Sequence, residues 1–332
     1  MRPSLDPSET LSRPRPRRAW AEYLGLLGVL AVLVALFGLL SEHFLSRVTF
    51  TTLANQVPAL TVIAVGMTFV LIVGGIDLSV GSVMALCAAV LGVAVVDGGM
   101  GLLPAVLLGL AVGLGVGLVN GLVTVRWAIP SFIVTLGTLE VARGAAYLVT
   151  DSRALFVGSA VAGLGAPLPG VGLSPAFFLA LAVVITGQVV LARTVFGRYA
   201  VAIGTNEEAV RLSGIDPRPT QVAVFALAGL LSGLGGVFHV AYLETADPNA
   251  GIGLELSAIA AVVIGGTSLL GGRGSVVNSF LGVLIIAVLQ AGLAQLGASE
   301  PTKRVVTGAV IVLAVVADAY RHHFTRRRAN GN

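Results

Sequence analysis

The sequence predicts an all-α polytopic membrane protein with about ten transmembrane helices. Three observations lead there. Of the 332 residues, 56% are hydrophobic and only 11% charged, whereas soluble domains carry about 25% charged residues. Mean hydropathy is +0.96. Apolar runs of roughly 20 residues recur along the chain, the length at which a helix crosses the hydrocarbon core of a bilayer.

Hydropathy places the spans at about 20–40, 57–74, 78–97, 102–124, 128–150, 174–192, 220–243, 255–270, 275–296 and 303–319. Residues 20–320 then form one membrane domain between two basic tails, 1–19 and 321–332. The first tail, MRPSLDPSETLSRPRPRR, has the composition of a disordered segment. The apolar run behind it is too long for a signal-peptide core and has no small-residue cleavage site, so it reads as a retained first helix. With both termini on the cytoplasmic side, all of the 20 basic residues except Arg47, Arg143, Arg153, Lys303 and Arg304 fall in cytoplasmic segments. That bias is the positive-inside rule. It accounts for the pI of about 9.7 without a nucleic-acid partner.

Between the second and third spans lies GGIDLSVG. Gly74 and Gly75 are suited to ending a helix, because glycine takes the left-handed turn without penalty. Asp77, followed by Ser79, is expected to cap the next helix and occupy backbone N–H groups that lipid cannot satisfy. A cation site at Asp77 is the alternative. The single cysteine, Cys87, lies in an apolar run and reads as a small core residue. In the fourth span Gly109, Gly113, Gly117 and Gly121 repeat at i, i+4, a bare stripe suited to close helix packing. Asn120, beside that stripe, is read as a packing hydrogen bond or a pathway residue. Glu140 and Arg143 sit mid-span, three apart on one helix face, and are expected either to pair as a buried salt bridge or to line a polar path.

The outer loop, about 151–173, holds GAPLPGVGLSP and should be irregular. The inner loop, about 193–219, is the longest polar piece on the cytoplasmic side. Within it Asn206 suits an N-cap, Glu207 and Glu208 the first turn, Arg211 the last, and Gly214 the stop. That predicts a two-turn helix over 207–213, which Pro217 and Pro219 keep separate from the next span. Such a compact helix is read as a docking knob, with an ordinary solvated loop as the alternative. Further on, GGTSLLGGRGSV (265–276) echoes GGIDLSVGSV (74–83), an overlap too short to define a repeat.

Catalytic patterns are missing. The lone lysine, Lys303, follows Pro301 and Thr302, so no G-x-x-x-x-G-K-[ST] loop exists. The histidines, His43, His239, His322 and His323, form no H-E-x-x-H pair, and no G-x-S-x-G is present. The chain is expected to be a transport subunit, not an enzyme, with no metal and no cofactor of its own.

Four stretches carry a resemblance: LIVGGIDLSVGSVMAL (71–86), GLVNGLVTVRWAIPSFIVTLGTL (117–139), GRYAVAIGTNEEAVRLSGI (197–215) and LELSAIAAVVIGGTSLLGGRGSVVNSFLGVL (254–284). In this order, over about residues 50–316, they resemble the permease subunits of ribose-type ABC importers, whose relatives include xylose, galactose and autoinducer-2 permeases. The resemblance implies a type II importer fold in the inner membrane and a path formed with a second permease subunit. It implies ATP-binding cassettes on the cytoplasmic face, using ATP that this chain does not bind, and an extracytoplasmic sugar-binding protein. In that family the loop matching Gly197 to Gly214, with Asn206, Glu207, Glu208 and Ala209, docks on the ATPase. The chain departs from the family at Ser257, often acidic there, and in the basic EPTKRVVTG near the last span. A ribose-like monosaccharide is the expected cargo; nucleosides or branched-chain amino acids are alternatives. An ion-coupled secondary transporter would need intramembrane carboxylates that are scarce here.

Overall fold

A computed structural model of the chain describes residues 17–310 and positions 312, 313 and 316. The tails expected at 1–19 and 321–332 lie outside the described residues, save 17–19. At the centre stands α3 (Pro58–Ile72), in which every residue except Leu60 is buried. A helix apolar all round needs such a central place. Pro58 opens α3, where its missing N–H is harmless, and α2 (Arg47–Gln56) joins it at a 47° bend. Against α3 pack α11 (Arg218–Leu243), α8 (Pro175–Arg193), α12 (Leu254–Ile264) and α13 (Val276–Gln295). α4 (Val80–Val96) and α5 (Leu102–Trp127) pack on α11, α6 (Ser131–Val149) on α4, and the peripheral α1 (Arg17–Leu40) on α13.

The glycine stripe is the seam between α5 and α11. A side chain at Gly113 would strike the carbonyl of Gly229, one at Gly117 the carbonyl of Phe225, and one at Gly121 the backbone of Val222. The two backbones therefore touch, as small-residue stripes permit in membranes.

The expected ten spans are not confirmed. Among the described residues six helices are long and apolar enough to cross a bilayer, or seven if α2 and α3 count as one bent span. Two expected spans shorten to α4, with 17 residues, and α12, with 11. The missing length is mainly 78–79 before α4 and 265–270 after α12, parts of the non-helical stretches 74–79 and 265–274. Of the tenth, residues 300–310 are helical and the remainder is largely undescribed. The loop over 151–173 is more ordered than expected. Its β1 (Leu155–Phe156) pairs antiparallel with β2 (Thr245–Ala246), and α7 (Ala162–Gly165) follows a short 3-10 turn.

Candidate coupling surface and polar site at membrane depth

The loop over 193–219 folds into α9 (Val195–Thr205) and α10 (Glu207–Leu212), one residue shorter than expected. Thr194 caps α9, and Gly197 lies so close to the Leu191 carbonyl that no side chain fits. Asn206 ends one helix and starts the next. Its side-chain oxygen accepts from the Ala209 N–H at 2.9 Å, an N-cap that contributes about 0.5–2 kcal/mol. Arg211 reaches Glu207 at 3.0 Å and Glu208 at 3.9 Å. Glu207 also accepts from Gln221 of α11 at 3.1 Å, fastening α10 to the body. At the far end Gly214 takes φ +82°. Its N–H donates to Arg211, and the N–H of Ile215 donates to Val210, the paired closure of a Schellman motif. Val210 points inward, while Leu212 is 81% exposed. A short rigid helix thus presents an apolar tip flanked by Glu208 and Arg211.

This knob rests on the two glycine turns that echo each other. Gly204, at the end of α9, abuts the Ile72 carbonyl and the Gly272 N–H without room for a side chain. Gly272 in turn donates to the Ile72 carbonyl at 2.9 Å. A side chain on Gly271 would lie 3.1 Å from the Gly74 nitrogen. Backbone contacts therefore connect α9 directly to the central α3 and to the turn after α12.

Asp77 does not cap α4. Ser79 holds the N-cap position and makes no side-chain cap bond. Instead one carboxylate oxygen of Asp77, 1% exposed, accepts from the Ser79 N–H at 2.8 Å and hydroxyl at 2.6 Å, closing a turn across 77–79. From Ser79 a buried chain continues. Asn120 donates to the Ser79 hydroxyl at 3.0 Å, and Thr138 donates to Asn120 at 2.6 Å. Ser131 and Thr135 of α6 accept from the N–H groups of Ile76 and Leu78, at 2.8 and 3.0 Å. Their hydroxyls satisfy broken backbone that bilayer interiors leave unpaired. Sequence reasoning missed this row, although Ser131, Thr135 and Thr138 stand at i, i+4, i+7 on one helix face.

Glu140 and Arg143 do not pair. No ion pair within 4.0 Å joins them among the described residues. Arg143 donates to the carbonyls of Pro248 and Ala250, the latter at 2.8 Å. Tyr147, one turn on, donates to Asn249 at 2.6 Å. The unwound backbone of 247–250 thus takes the guanidinium, because its buried carbonyls at Pro248 and Ala250 have no helical N–H to bond. Glu140 stays exposed. No group of three or more His, Cys, Asp or Glu residues able to hold a metal occurs among the described residues.

A family model described as "Branched-chain amino acid transport system / permease component" matches residues 49–315. The ribose import permease of Bacillus subtilis (strain 168) is 42% identical over 305 residues, covering 89% of this chain and 91% of that protein. The ribose import permease of Escherichia coli (strain K12) is 38% identical, covering 91% and 95%. The D-allose transport system permease protein of Escherichia coli (strain K12) is 34% identical, covering 90% and 92%. No solved structure matches the chain.

Proposed function

Because the chain belongs to the ribose-type branch of the ABC importer permeases, we propose that it is the membrane-spanning subunit of an importer for a small sugar, a ribose-like monosaccharide, in the inner membrane. The observation that carries this reading is the near full-length similarity to ribose and allose permeases. The family model's description names branched-chain amino acids and supports a second reading. The sugar reading is preferred because all three of these relatives, over about nine tenths of the chain, are named for sugars.

The chain performs no chemistry. A separate ATP-binding cassette subunit hydrolyses ATP on the cytoplasmic face and grips α10, whose exposed Leu212 and flanking charges suit a groove. Both termini lie on that face, as the basic residues favour. Closure of two cassettes moves α10. The backbone contacts at Gly204 pass that movement to α3 and to the 265–274 turn, a coupling of distant sites through a rigid element. A second permease copy completes the path, and an extracytoplasmic binding protein delivers the sugar.

The test is purification of the protein from native membranes with identification of co-purifying proteins, followed by uptake of labelled ribose and leucine in proteoliposomes. A cassette protein that co-purifies and ATP-dependent ribose uptake are expected. Leu212→Asp, Glu207→Arg and Gly214→Pro should each release the cassette while the permease stays inserted. Normal ATP-driven uptake by all three variants would refute docking on α10. Leucine uptake without ribose uptake would replace the cargo, and uptake driven by an ion gradient without ATP would replace the importer.

A further inference from the structure

The middle of α6 carries a charge that the fold leaves bare. Glu140 is the tenth of the nineteen residues Ser131–Val149, about 14 Å from either end at 1.5 Å per residue. It is exposed and makes no hydrogen bond or ion pair among the described residues. A carboxylate facing acyl chains at that depth costs about 2.5–3.5 kcal/mol, and such residues face a bundle interior or a water-filled cavity.

The neighbouring backbone points the same way. Between α11 and α12 the chain is non-helical over 244–253, with Gly251 and Gly253 at φ +71° and +82°. Arg143 and Tyr147 clamp 248–250 to α6, which puts this segment within one or two turns of Glu140. Irregular backbone at membrane depth survives only where protein buries it or where it borders water. Pro248 and Ala250 are buried, but Asn249 and Ile252 between and beyond them are exposed. Asn249 is held from both sides, by the Tyr147 hydroxyl and by Asp247 at 3.0 Å. Glu140 and Tyr147 are seven residues apart and so share one helix face.

We propose that Glu140 and Asn249 line the water-filled path through the permease and are contact points for a neutral, hydroxyl-rich substrate in transit. The cargo class rests on the importer reading above. A carboxylate accepts hydroxyl hydrogens and an amide both donates and accepts. Ile252 and Leu256, 55% and 57% exposed, offer apolar surface to a sugar's C–H face. Arg143, the cation clamped to this segment, spends its donors on backbone carbonyls, while Glu140, Asp247 and Glu255 lie close enough to act on its charge. The wall therefore favours neutral polyols and repels anions such as sugar phosphates.

The test uses the assembled importer. Cys87, the single cysteine and a buried one, is changed to Ala. Cysteines are then placed singly at Glu140 and Asn249, with Val32 on α1, 67% exposed, as the lipid-facing control. A membrane-impermeant sulfonated thiol reagent is applied to both faces of the membrane. The cysteines in E140C and N249C should label at least tenfold faster than that in V32C, and labelling should cut ribose uptake at least tenfold while ATPase activity persists. Labelling of both sites no faster than the control overturns the proposal. So does rapid labelling that leaves uptake unchanged. N249C keeps the test decisive if E140C folds poorly. If the unlabelled importer moves leucine and not ribose, the importer's cargo has been misassigned; rapid labelling that then blocks leucine uptake still supports a water-filled path and overturns the polyol contacts.

Discussion

Placing one methyl group in the seam between α5 and α11 measures how closely these helices depend on bare backbone. In Gly117→Ala the new Cβ would lie 3.0 Å from the Cα atoms of both Ala226 and Gly229, and closer still to the Phe225 carbonyl. All three are backbone atoms, so no side chain can swing aside. Overpacking of this kind costs about 1–3 kcal/mol. Gly115, two residues earlier on the same helix, has nothing within 4 Å of its Cβ position. Gly115→Ala should gain the helix preference of alanine over glycine, about 1 kcal/mol. The same gain applies to Gly117→Ala and cancels, so the two variants should differ by the overpacking cost, about 1–3 kcal/mol. At about 2–4 °C per kcal/mol, that separates their apparent melting temperatures by roughly 2–12 °C. Tryptophan fluorescence or size-exclusion melting in one detergent, at one heating rate, reads the difference. Equal melting temperatures, or a more stable Gly117→Ala, would refute the backbone contact.

Three further outcomes are expected. Asp77→Ala strands the buried N–H and hydroxyl of Ser79 at about 1–3 kcal/mol per orphaned group, so folded yield by size-exclusion chromatography should fall, and fall less in Asp77→Asn, which keeps the accepting oxygen. Unchanged yield with transport abolished would instead mark Asp77 as a functional group. A double-mutant cycle on Asn120→Leu and Thr138→Val should show a coupling of about 0.5–3 kcal/mol, and strict additivity would break the chain of hydrogen bonds described for them. Arg143→Leu leaves the carbonyls of Pro248 and Ala250 without their donor. Amide hydrogen exchange over 244–253 should then accelerate, whereas Glu140→Gln should leave it unaltered because Glu140 takes no part in the clamp.

Local chemistry made much of this protein readable from its residues alone. Membrane class follows from apolar runs, since length and hydropathy are properties of contiguous sequence. The α10 knob was legible to within one residue, because Asn206, the two glutamates, Arg211 and Gly214 act on backbone groups three or four positions away. The stripe from Gly109 to Gly121 announced close packing for the same reason, although not that α11 was the partner. What only the tertiary structure decided depends on residues far apart in the chain. Arg143 looked paired with Glu140, three positions away, but found carbonyls more than a hundred residues on. Asp77 looked like a cap, but belongs to a network closed by Asn120 and by the hydroxyls of α6. The spans at α4 and α12 looked full-length, because hydropathy registers apolar composition and not whether the backbone is wound into a helix. Non-helical backbone replaces their missing length. Such backbone is tolerable only where distant side chains or a polar path satisfy it, and that condition is set by packing.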